Sequence, residues 1–164
     1  MSAIHSERVE ALRTLMREKG WDAVVLRGSD PHRSEYLAPR YQAVTWLSGF
    51  TGEAADVVVT LDEAGLWTDS RYFIQAVAQL QGSGIVLHKT RLADSVYIPQ
   101  WLSRKGVGTV ACDSLCESVD SMAELRGCGA AVVGVPDLCD LFWPSRPAMP
   151  VSRTNIGIIQ LPLP

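Results

Sequence analysis

The chain has 164 residues, of which 47% are hydrophobic and 20% charged, and its formal net charge at pH 7 is −3. This length suits one domain with a substantial buried core, and the acidic balance without a basic run argues against nucleic acid and anionic membranes as partners. The apolar runs are too short to cross a bilayer, and the residues after Met1 lack the pattern of a signal peptide, so we expect a cytoplasmic protein.

The first part of the chain predicts a helix, a strand and a long polar loop. Apolar residues recur at helical spacing over residues 4–19, and Gly20 supplies a left-handed stop. Residues 21–26 then form an apolar run that is typical of a core strand. Residues 27–45 show no period and are interrupted by prolines. A loop of this length inside a compact domain is usually functional, and the alternative is an exposed connector.

The next stretch predicts a short helix followed by a hairpin. The helix covers residues 42–47 and ends at Ser48-Gly49. Val57–Thr60 contains only β-branched residues, which suit a strand buried on both faces. Residues 61–65 form a polar link that ends in glycine, which is typical of a hairpin loop, and residues 66–68 form the returning strand.

The hairpin is predicted to lead into a helix capped by Asp69, because a carboxylate there can accept from the free N–H groups of the first turn. The buried stripe of this helix is expected to consist of Phe73, Ala76, Val77 and Leu80. Arg71 would lie in the first turn, where a cation is slightly unfavourable. That placement indicates either a role outside the helix or an ordinary surface arginine.

The second half of the chain alternates strands with helices. The predicted strands are residues 85–88, 107–112 and 130–133, and the predicted helices are residues 99–105, residues 118–125 and a brief turn after Pro136. Pro99 suits the first turn of its helix, and Ser118 can cap the next one. The total of about six strands and five helices favours an α/β fold with a mixed sheet and helices on its faces.

The end of the chain is rich in proline. Pro144, Pro147, Pro150, Pro162 and Pro164 follow Trp143 at short intervals. This change to a proline-rich composition predicts a domain over residues 1–148 and an extended linker over residues 149–164 that leads toward a following domain.

The four cysteines are Cys112, Cys116, Cys128 and Cys139. Their spacing includes no C-x-x-C pair, and no nearby histidine completes a set of zinc ligands. Most of them lie in or beside apolar segments, where cysteine behaves as a small hydrophobic residue. We therefore expect buried free thiols, with a metal or disulfide role as the alternative.

Five blocks of sequence resemble one known family. They are Ser29-Asp-Pro-His-Arg-Ser-Glu-Tyr36, Trp46-Leu-Ser-Gly-Phe-Thr-Gly52, Leu66-Trp-Thr-Asp-Ser-Arg-Tyr-Phe73, Gln79-Leu80 and Leu141-Phe-Trp-Pro-Ser-Arg-Pro147. In this order they resemble the amino-terminal domain of the aminopeptidase P (Xaa-Pro aminopeptidase) family, which includes prolidase and creatinase, and most closely its three-domain cytosolic type. The resemblance implies the ribonuclease-H-like α/β fold of the creatinase amino-terminal domain.

The resemblance also implies a two-metal hydrolase that removes the residue before a proline. In this family two divalent ions, with manganese expected, are held by carboxylates and a histidine in a carboxyl-terminal domain. This chain ends before such a domain, and its histidines, His5, His32 and His88, do not stand beside an Asp/Glu pair with ligand spacing. The acidic residues Asp62, Glu63, Glu117 and Asp120 are interpreted as solvated carboxylates. We therefore expect no metal site and no catalytic residue in this chain.

The implied role is non-catalytic help with substrate access and with subunit or domain contacts. In creatinase relatives an amino-terminal domain can reach the active site of a neighbouring subunit, where an arginine can meet a substrate carboxylate. Arg71 is the candidate for that position. His32 and Tyr36 are candidates to line a substrate channel, because their loop faces the catalytic domain in the resembling enzymes. The implied partners are the missing middle and catalytic domains, proline-containing peptides and further copies in a homo-oligomer.

Two departures from the family leave the substrate preference open. Many relatives read Gly-Ser-Ala-Gly where this chain has Gly52-Glu-Ala-Ala-Asp56, and they often have glycine in place of Ser70. A stand-alone binding or oligomerisation module is the alternative function, and an independent small hydrolase is a third. Codons for metal-ligating residues after Pro164 would favour the aminopeptidase reading, whereas a stop codon would favour the module.

Overall fold

The computed structural model describes residues 2–149, which form one mixed sheet with helices on both faces. The helices are α1 (Ser2–Lys19), α2 (Ala43–Ser48), α3 (Phe73–Gln79), α4 (Ile98–Lys105) and α5 (Val119–Arg126). The strands are β1 (Ala23–Leu26), β2 (Ala55–Thr60), β3 (Ala64–Thr68), β4 (Val86–Lys89), β5 (Thr109–Asp113) and β6 (Ala131–Val135). Short 3-10 turns cover Pro39–Tyr41 and Leu138–Leu141.

The six strands lie in the order β4-β3-β2-β1-β5-β6. Strand β2 is antiparallel to both of its neighbours, and the other adjacent pairs are parallel. The predicted α/β fold, a mixed sheet of six strands flanked by helices, is therefore confirmed. Because of these directions, the carboxyl ends of five strands and the amino end of β2 meet at one side of the sheet, which we call the carboxyl edge.

Alternate residues of the central strands divide the core into two layers. Val24, Leu26 and Val57 face the layer formed by α1, α2 and α3, whereas Val25 and Val58 face the layer formed by α4 and α5. This alternation follows from the two-residue period of a strand. All four residues of β1 are buried, as is the β-branched run of β2 that the sequence predicted to be covered on both faces.

Helix α1 lies on the first face because Val9, Leu12 and Met16 are buried at helical spacing. It begins two residues earlier than predicted and ends at the predicted stop, where Gly20 has a φ of 68°. Among residues 2–149, no helix combines the length and apolar character that a bilayer crossing requires.

The block Trp46–Gly52 makes a tight turn against α1. Gly49 ends α2 with a φ of 76°, and a Cβ there would lie 2.6 Å from the His5 Nε2 atom. The Nδ1 atom of His5 lies 3.1 Å from the Leu47 carbonyl oxygen, which accepts its proton. Any side chain at position 49 would therefore be strained by the backbone and would also displace His5.

The last described block packs against the same turn. The rings of Trp46 and Trp143 are stacked with centroids 4.9 Å apart, and Phe142 lies 5.9 Å from Trp46. Arg146 is nearly buried and donates to both Asp137 and Asp140. Two blocks that are about a hundred residues apart in the sequence thus form one packed unit.

Two predicted details of α3 are wrong. The residue at its amino-terminal cap is Tyr72, which makes no side-chain cap hydrogen bond. Asp69 lies outside the helix, and its carboxylate accepts from the backbone and the guanidinium of Arg71 instead. Val77 was expected in the buried stripe but is 61% exposed, and Phe73 is only half-buried. The helix covers Phe73–Gln79 and rests on the sheet mainly through Ala76, so its buried stripe is narrower than the pattern suggested.

The other caps and the cysteines follow the predictions. Ser118 accepts from the Ser121 N–H group and forms a capping box with it. The four cysteines are buried free thiols, and burial raises the pKa values of Cys112, Cys116 and Cys139 to about 12. The predicted linker over residues 149–164 lies outside the described residues apart from Met149, so the boundary at residue 148 stays a prediction.

Candidate functional site

The polar residues of interest collect at the carboxyl edge. In open α/β sheets, ligands bind in the crevice outside the carboxyl ends of the strands, where strand order or direction changes. Here β1 leads into Arg27 and its polar loop, β3 leads into Asp69 and Arg71, and β5 ends at Asp113. Because β2 runs the other way, its first residues, Ala55 and Asp56, lie beside them.

A largely buried arginine joins three elements at this edge. The Arg27 side chain is 15% exposed, and its Nη1 atom donates to Asp56 Oδ2 at 2.9 Å. Its Nε atom donates to Glu117 Oε1 at 2.8 Å. Asp56 also accepts from the Gly28 N–H group at 3.1 Å through its other oxygen. The arginine thus fixes the end of β1, the start of β2 and the residue before α5.

The expectation that Glu117 is a solvated carboxylate is wrong. Its side chain is 0% exposed, because the loop after β5 places it under the Arg27 guanidinium rather than on the helix surface. Its Oε2 atom is buried and has no hydrogen-bond partner among the described residues. The attraction to the positive charge of Arg27 therefore offsets most of the free-energy cost of removing this carboxylate from water.

The ionisation of Arg27 reflects two opposed effects. Burial lowers the pKa of its guanidinium, but the charges of Asp56 and Glu117 and their hydrogen bonds outweigh burial, so the pKa is raised. The group remains protonated throughout the pH range in which proteins fold, and it acts as a permanent cation in the edge.

The second arginine of the edge, Arg71, is mostly exposed and is held by a buried acid. Its Nε atom donates to Asp69 Oδ1 at 2.9 Å and its Nη2 atom to Asp69 Oδ2 at 2.8 Å. The Arg71 side chain is 63% exposed, and that of Asp69 is 7% exposed. The hydrogen bonds from Arg71, which outweigh burial, lower the pKa of Asp69. This pairing fixes the direction of a guanidinium that stands in solvent.

The loop after β1 carries the other two predicted residues. Asp30 is buried, and its Oδ1 atom accepts from the backbone N–H groups of His32 at 2.9 Å and Ser34 at 3.0 Å. His32 is exposed, and Tyr36 is 77% exposed. The buried carboxylate of Asp30 therefore orders a loop whose own side chains face outward.

A cavity of about 400 Å³ lies between this loop, α2 and the Thr51–Ala55 segment. Its walls include Tyr36 and Tyr41, and Glu35 and Glu53 also line it. Among the predicted site residues the structure brings Tyr36 to this cavity, whereas His32 and Arg71 are not among the residues that line it. The hydrogen bond to Asp69 is the main cause that raises the pKa of Arg71, and the nearby charge of Glu53 adds to it.

The wall of the cavity depends on two close backbone approaches. A Cβ at Gly28 would lie 2.3 Å from the Ala55 carbonyl oxygen, and a Cβ at Gly52 would lie 2.3 Å from the Phe50 ring. On the side toward α3, Thr51 is held by Gln79, whose Oε1 atom accepts from the Thr51 N–H group at 3.0 Å. Gly52 ends one of the blocks that carried the family resemblance, and Gly28 directly precedes another.

The donor set does not suit a metal pair. Within residues 2–149 there is no group of three histidine, cysteine or acidic side chains that could hold a metal ion. Three acids of the edge are instead paired with arginines, Asp56 and Glu117 with Arg27 and Asp69 with Arg71. The residues that the structure describes therefore do not fit the two-metal centre that the family resemblance implies.

Comparison with known proteins identifies the family. Residues 8–140 match the model of the Creatinase/Prolidase N-terminal domain. The chain belongs to this family. It is 39% identical over 155 residues to the Xaa-Pro aminopeptidase app-1 of Caenorhabditis elegans, a match covering 90% of this chain and 25% of that protein. A probable Xaa-Pro aminopeptidase P of Neurospora crassa is 36% identical over 164 residues, covering 92% of this chain and 24% of the relative.

Solved structures agree with this assignment. The X-prolyl aminopeptidase of Caenorhabditis elegans, described as a cytosolic enzyme with a di-nuclear active site, superposes with a TM-score of 0.79 at 36% identity, covering 88% of this chain and 26% of that one. The N-terminal domain of the cytoplasmic peptidase PepQ from Mycobacterium tuberculosis shares the fold, with a TM-score of 0.61 at 23% identity, covering 83% of this chain and 98% of that domain. This creatinase/prolidase N-terminal domain thus spans about a quarter of the length of the curated relatives that it matches.

Sequence reasoning missed the residues that hold the edge of this creatinase/prolidase N-terminal domain together. Arg27 and Glu117 are 90 positions apart, and no local pattern connects them. One signal was available for Arg27, because a charged residue directly after an apolar strand lies where the sheet ends. Glu117 stands beside the cap residue Ser118, which predicts an exposed carboxylate at a helix end, and this prediction is wrong.

The first prediction concerns the buried ion pair of this creatinase/prolidase N-terminal domain. Arg27→Met should destabilise the fold by about 3 kcal/mol, because it leaves the buried Glu117 carboxylate without a counter-charge. The double variant Arg27→Met with Glu117→Gln should recover part of this loss. Urea denaturation followed by circular dichroism measures both, with Arg104→Met on the exposed side of α4 as the control. A cost for Arg27→Met no larger than that of the control would contradict the assignment.

The second prediction concerns pH and Asp69. Because its pKa is lowered in the folded state, the stabilisation from its pairing is fully present above the unfolded value of about 4 and is lost as pH falls through the lowered value. Asp69→Asn should therefore lower the urea midpoint at pH 7 and have a shrinking effect toward pH 3. Asp94→Asn, in an exposed loop, serves as the control. A difference from the native chain that stays constant between these pH values would contradict this account.

Proposed function

We propose that this chain is the non-catalytic amino-terminal domain of a metal-dependent Xaa-Pro aminopeptidase, which removes amino-terminal residues that precede proline. The relatives that carry this domain are named Xaa-Pro aminopeptidases, and one related crystal structure is described as having a di-nuclear active site. In this proposal the metal pair, with manganese expected, belongs to a further domain. The present domain shapes access to that centre and contacts its own partner domains or subunits in the cytoplasm.

The observation that carries the proposal is that the exposed guanidinium of Arg71 is held in a fixed direction by Asp69. Asp69 takes two of the five N–H donors that a guanidinium has, which leaves three for a ligand. The Cζ atom of Arg71 also lies 5.2 Å from the centroid of the Tyr72 ring. A cation fixed in direction by a buried acid, yet 63% exposed, is suited to meeting a substrate carboxylate with little loss of side-chain entropy.

The surroundings of Arg71 add positive charge. Arg91 follows β4, the strand next to β3, and its charge contributes to the lowered pKa of Asp69. Lys89 lies at the end of β4, with its Nζ atom 5.1 Å from the centroid of the Phe73 ring. This half of the carboxyl edge therefore favours an anionic group, such as the carboxylate of a peptide.

Tyr36 and His32 complete the proposed access surface. Both stand on the loop that Asp30 orders, and both side chains are exposed. Exposed aromatic rings on a positioned loop are a common means of guiding a peptide, because they give contact area at a low cost in conformational entropy. We assign Tyr36 and His32 to the wall of the substrate channel.

The role of Arg71 is tested in the longer protein that contains this domain. Arg71→Ala should raise KM for a proline-containing peptide by about tenfold, the loss of one charge-assisted hydrogen bond, while lowering kcat much less. The KM of Arg71→Lys should lie between those of the native enzyme and Arg71→Ala, because lysine keeps the charge but loses the planar fork of donors. Arg104→Ala, on α4, is the matched control. Unchanged kinetics in Arg71→Ala would refute the role of this residue.

The non-catalytic assignment is tested with the 164-residue chain alone. Incubated with manganese and a Xaa-Pro peptide, it should release no amino acid above the buffer rate, because residues 2–149 do not gather a metal-ligating set. Product release is measured by mass spectrometry. Cleavage that requires the chain and is stopped by a chelator would show that the chemistry resides here.

A further inference from the structure

The cavity beside β1 and β2 differs in charge from the half of the edge that carries Arg71. Its lining includes the carboxylates of Glu35 and Glu53 and contains no lysine, arginine or histidine. Both glutamates are exposed at the rim, so they can turn toward a ligand without first breaking a buried contact.

The remaining walls suit a long side chain with a cationic end. Leu37, Val44 and Ala55 supply apolar surface, against which the methylene groups of a lysine or arginine can pack. Tyr36 adds an exposed aromatic ring, whose face attracts a cation. Tyr41 is already occupied on one side, with the Arg146 Cζ atom 5.8 Å from its ring centroid.

The nearby cations of the domain are engaged elsewhere. Arg40 donates to Asp137 at 3.0 Å and to Asp140 at 2.8 Å. Arg27 is committed to Asp56 and Glu117, and Arg71 to Asp69. Each of these guanidiniums is therefore hydrogen-bonded to acids other than Glu35 and Glu53. The charge of Arg71 acts on Glu53 from nearby, but among residues 2–149 neither glutamate forms an ion pair, so both carboxylates can bind a ligand.

We propose that this cavity binds the ammonium or guanidinium group of a basic side chain in a peptide. The inference rests on the proposed function only in taking the ligand to be a peptide. With Arg71 at β3 and the cavity at β1 and β2, the edge then offers a cation for a carboxylate and an acidic pocket for a basic side chain. The domain would thus favour peptides that carry lysine or arginine.

Binding is measured on the 164-residue chain by NMR titration of the isotope-labelled protein. The probes are acetyl-Gly-Arg-Gly-amide and the same peptide with citrulline, which has nearly the shape of arginine without its charge. The arginine peptide should bind about tenfold more tightly, the combined effect of two exposed ion pairs and a cation–π contact. Its addition should shift the amide signals of Gly28, Thr51 and Gly52, which line the cavity.

A pair of double variants locates the binding. Glu35→Gln with Glu53→Gln should weaken the arginine peptide about tenfold, whereas Glu18→Gln with Glu124→Gln, which changes the net charge equally on exposed helix positions, should not. Equal affinity for the two peptides, equal affinity of the two double variants, or signal shifts away from the cavity would overturn the proposal.

These outcomes are independent of the test of the proposed function. The titration uses the chain alone and blocked peptides without a carboxylate, so Arg71 does not enter it. Failure here with a raised KM in Arg71→Ala would reject the basic-side-chain pocket and keep the access role. Binding of the arginine peptide with unchanged kinetics in Arg71→Ala would keep the basic-side-chain pocket and reject the access role of Arg71.

Discussion

A largely buried arginine holds together the edge of the sheet on which the candidate residues stand. Arg27 reaches Asp56 at the start of β2 and Glu117 before α5, so it ties the paired ends of β1 and β2 to a loop that lies outside the sheet. Burying the Glu117 carboxylate is tolerable only because the Arg27 cation lies at hydrogen-bond distance from it. The same ion pair fixes the backbone of Gly28, because Asp56 also accepts a hydrogen bond from its N–H group.

The same edge uses Arg27 and Arg71 in opposite ways. Arg27 is 15% exposed and its charge is used within the fold, whereas Arg71 is 63% exposed and is oriented by a single acid. A buried ion pair contributes position more than net stability, and an exposed, oriented guanidinium retains donors for a ligand. This difference in exposure separates a structural residue from a candidate binding residue of the same type.

The two packing layers explain why such an edge can be displayed at all. Strands β1 and β2 are covered on both faces by apolar side chains, which supplies the main driving force for folding. The edge can therefore carry loops whose polar groups are arranged for contact rather than for stability. The stacked pair of Trp46 and Trp143 closes the same end of the sheet on the side of the first helical layer.

The sequence by itself determined the elements and the family. The β-branched run of β2, the stop at Gly20 and the cap at Ser118 are local signals, and each led to the observed element. Tertiary structure alone decided the partners of the charges, because Glu117 meets Arg27 across 90 positions and no period in the sequence encodes that meeting. The same holds for Asp69, whose local pattern suggested a helix cap, while its place beneath an exposed arginine gave it a different partner.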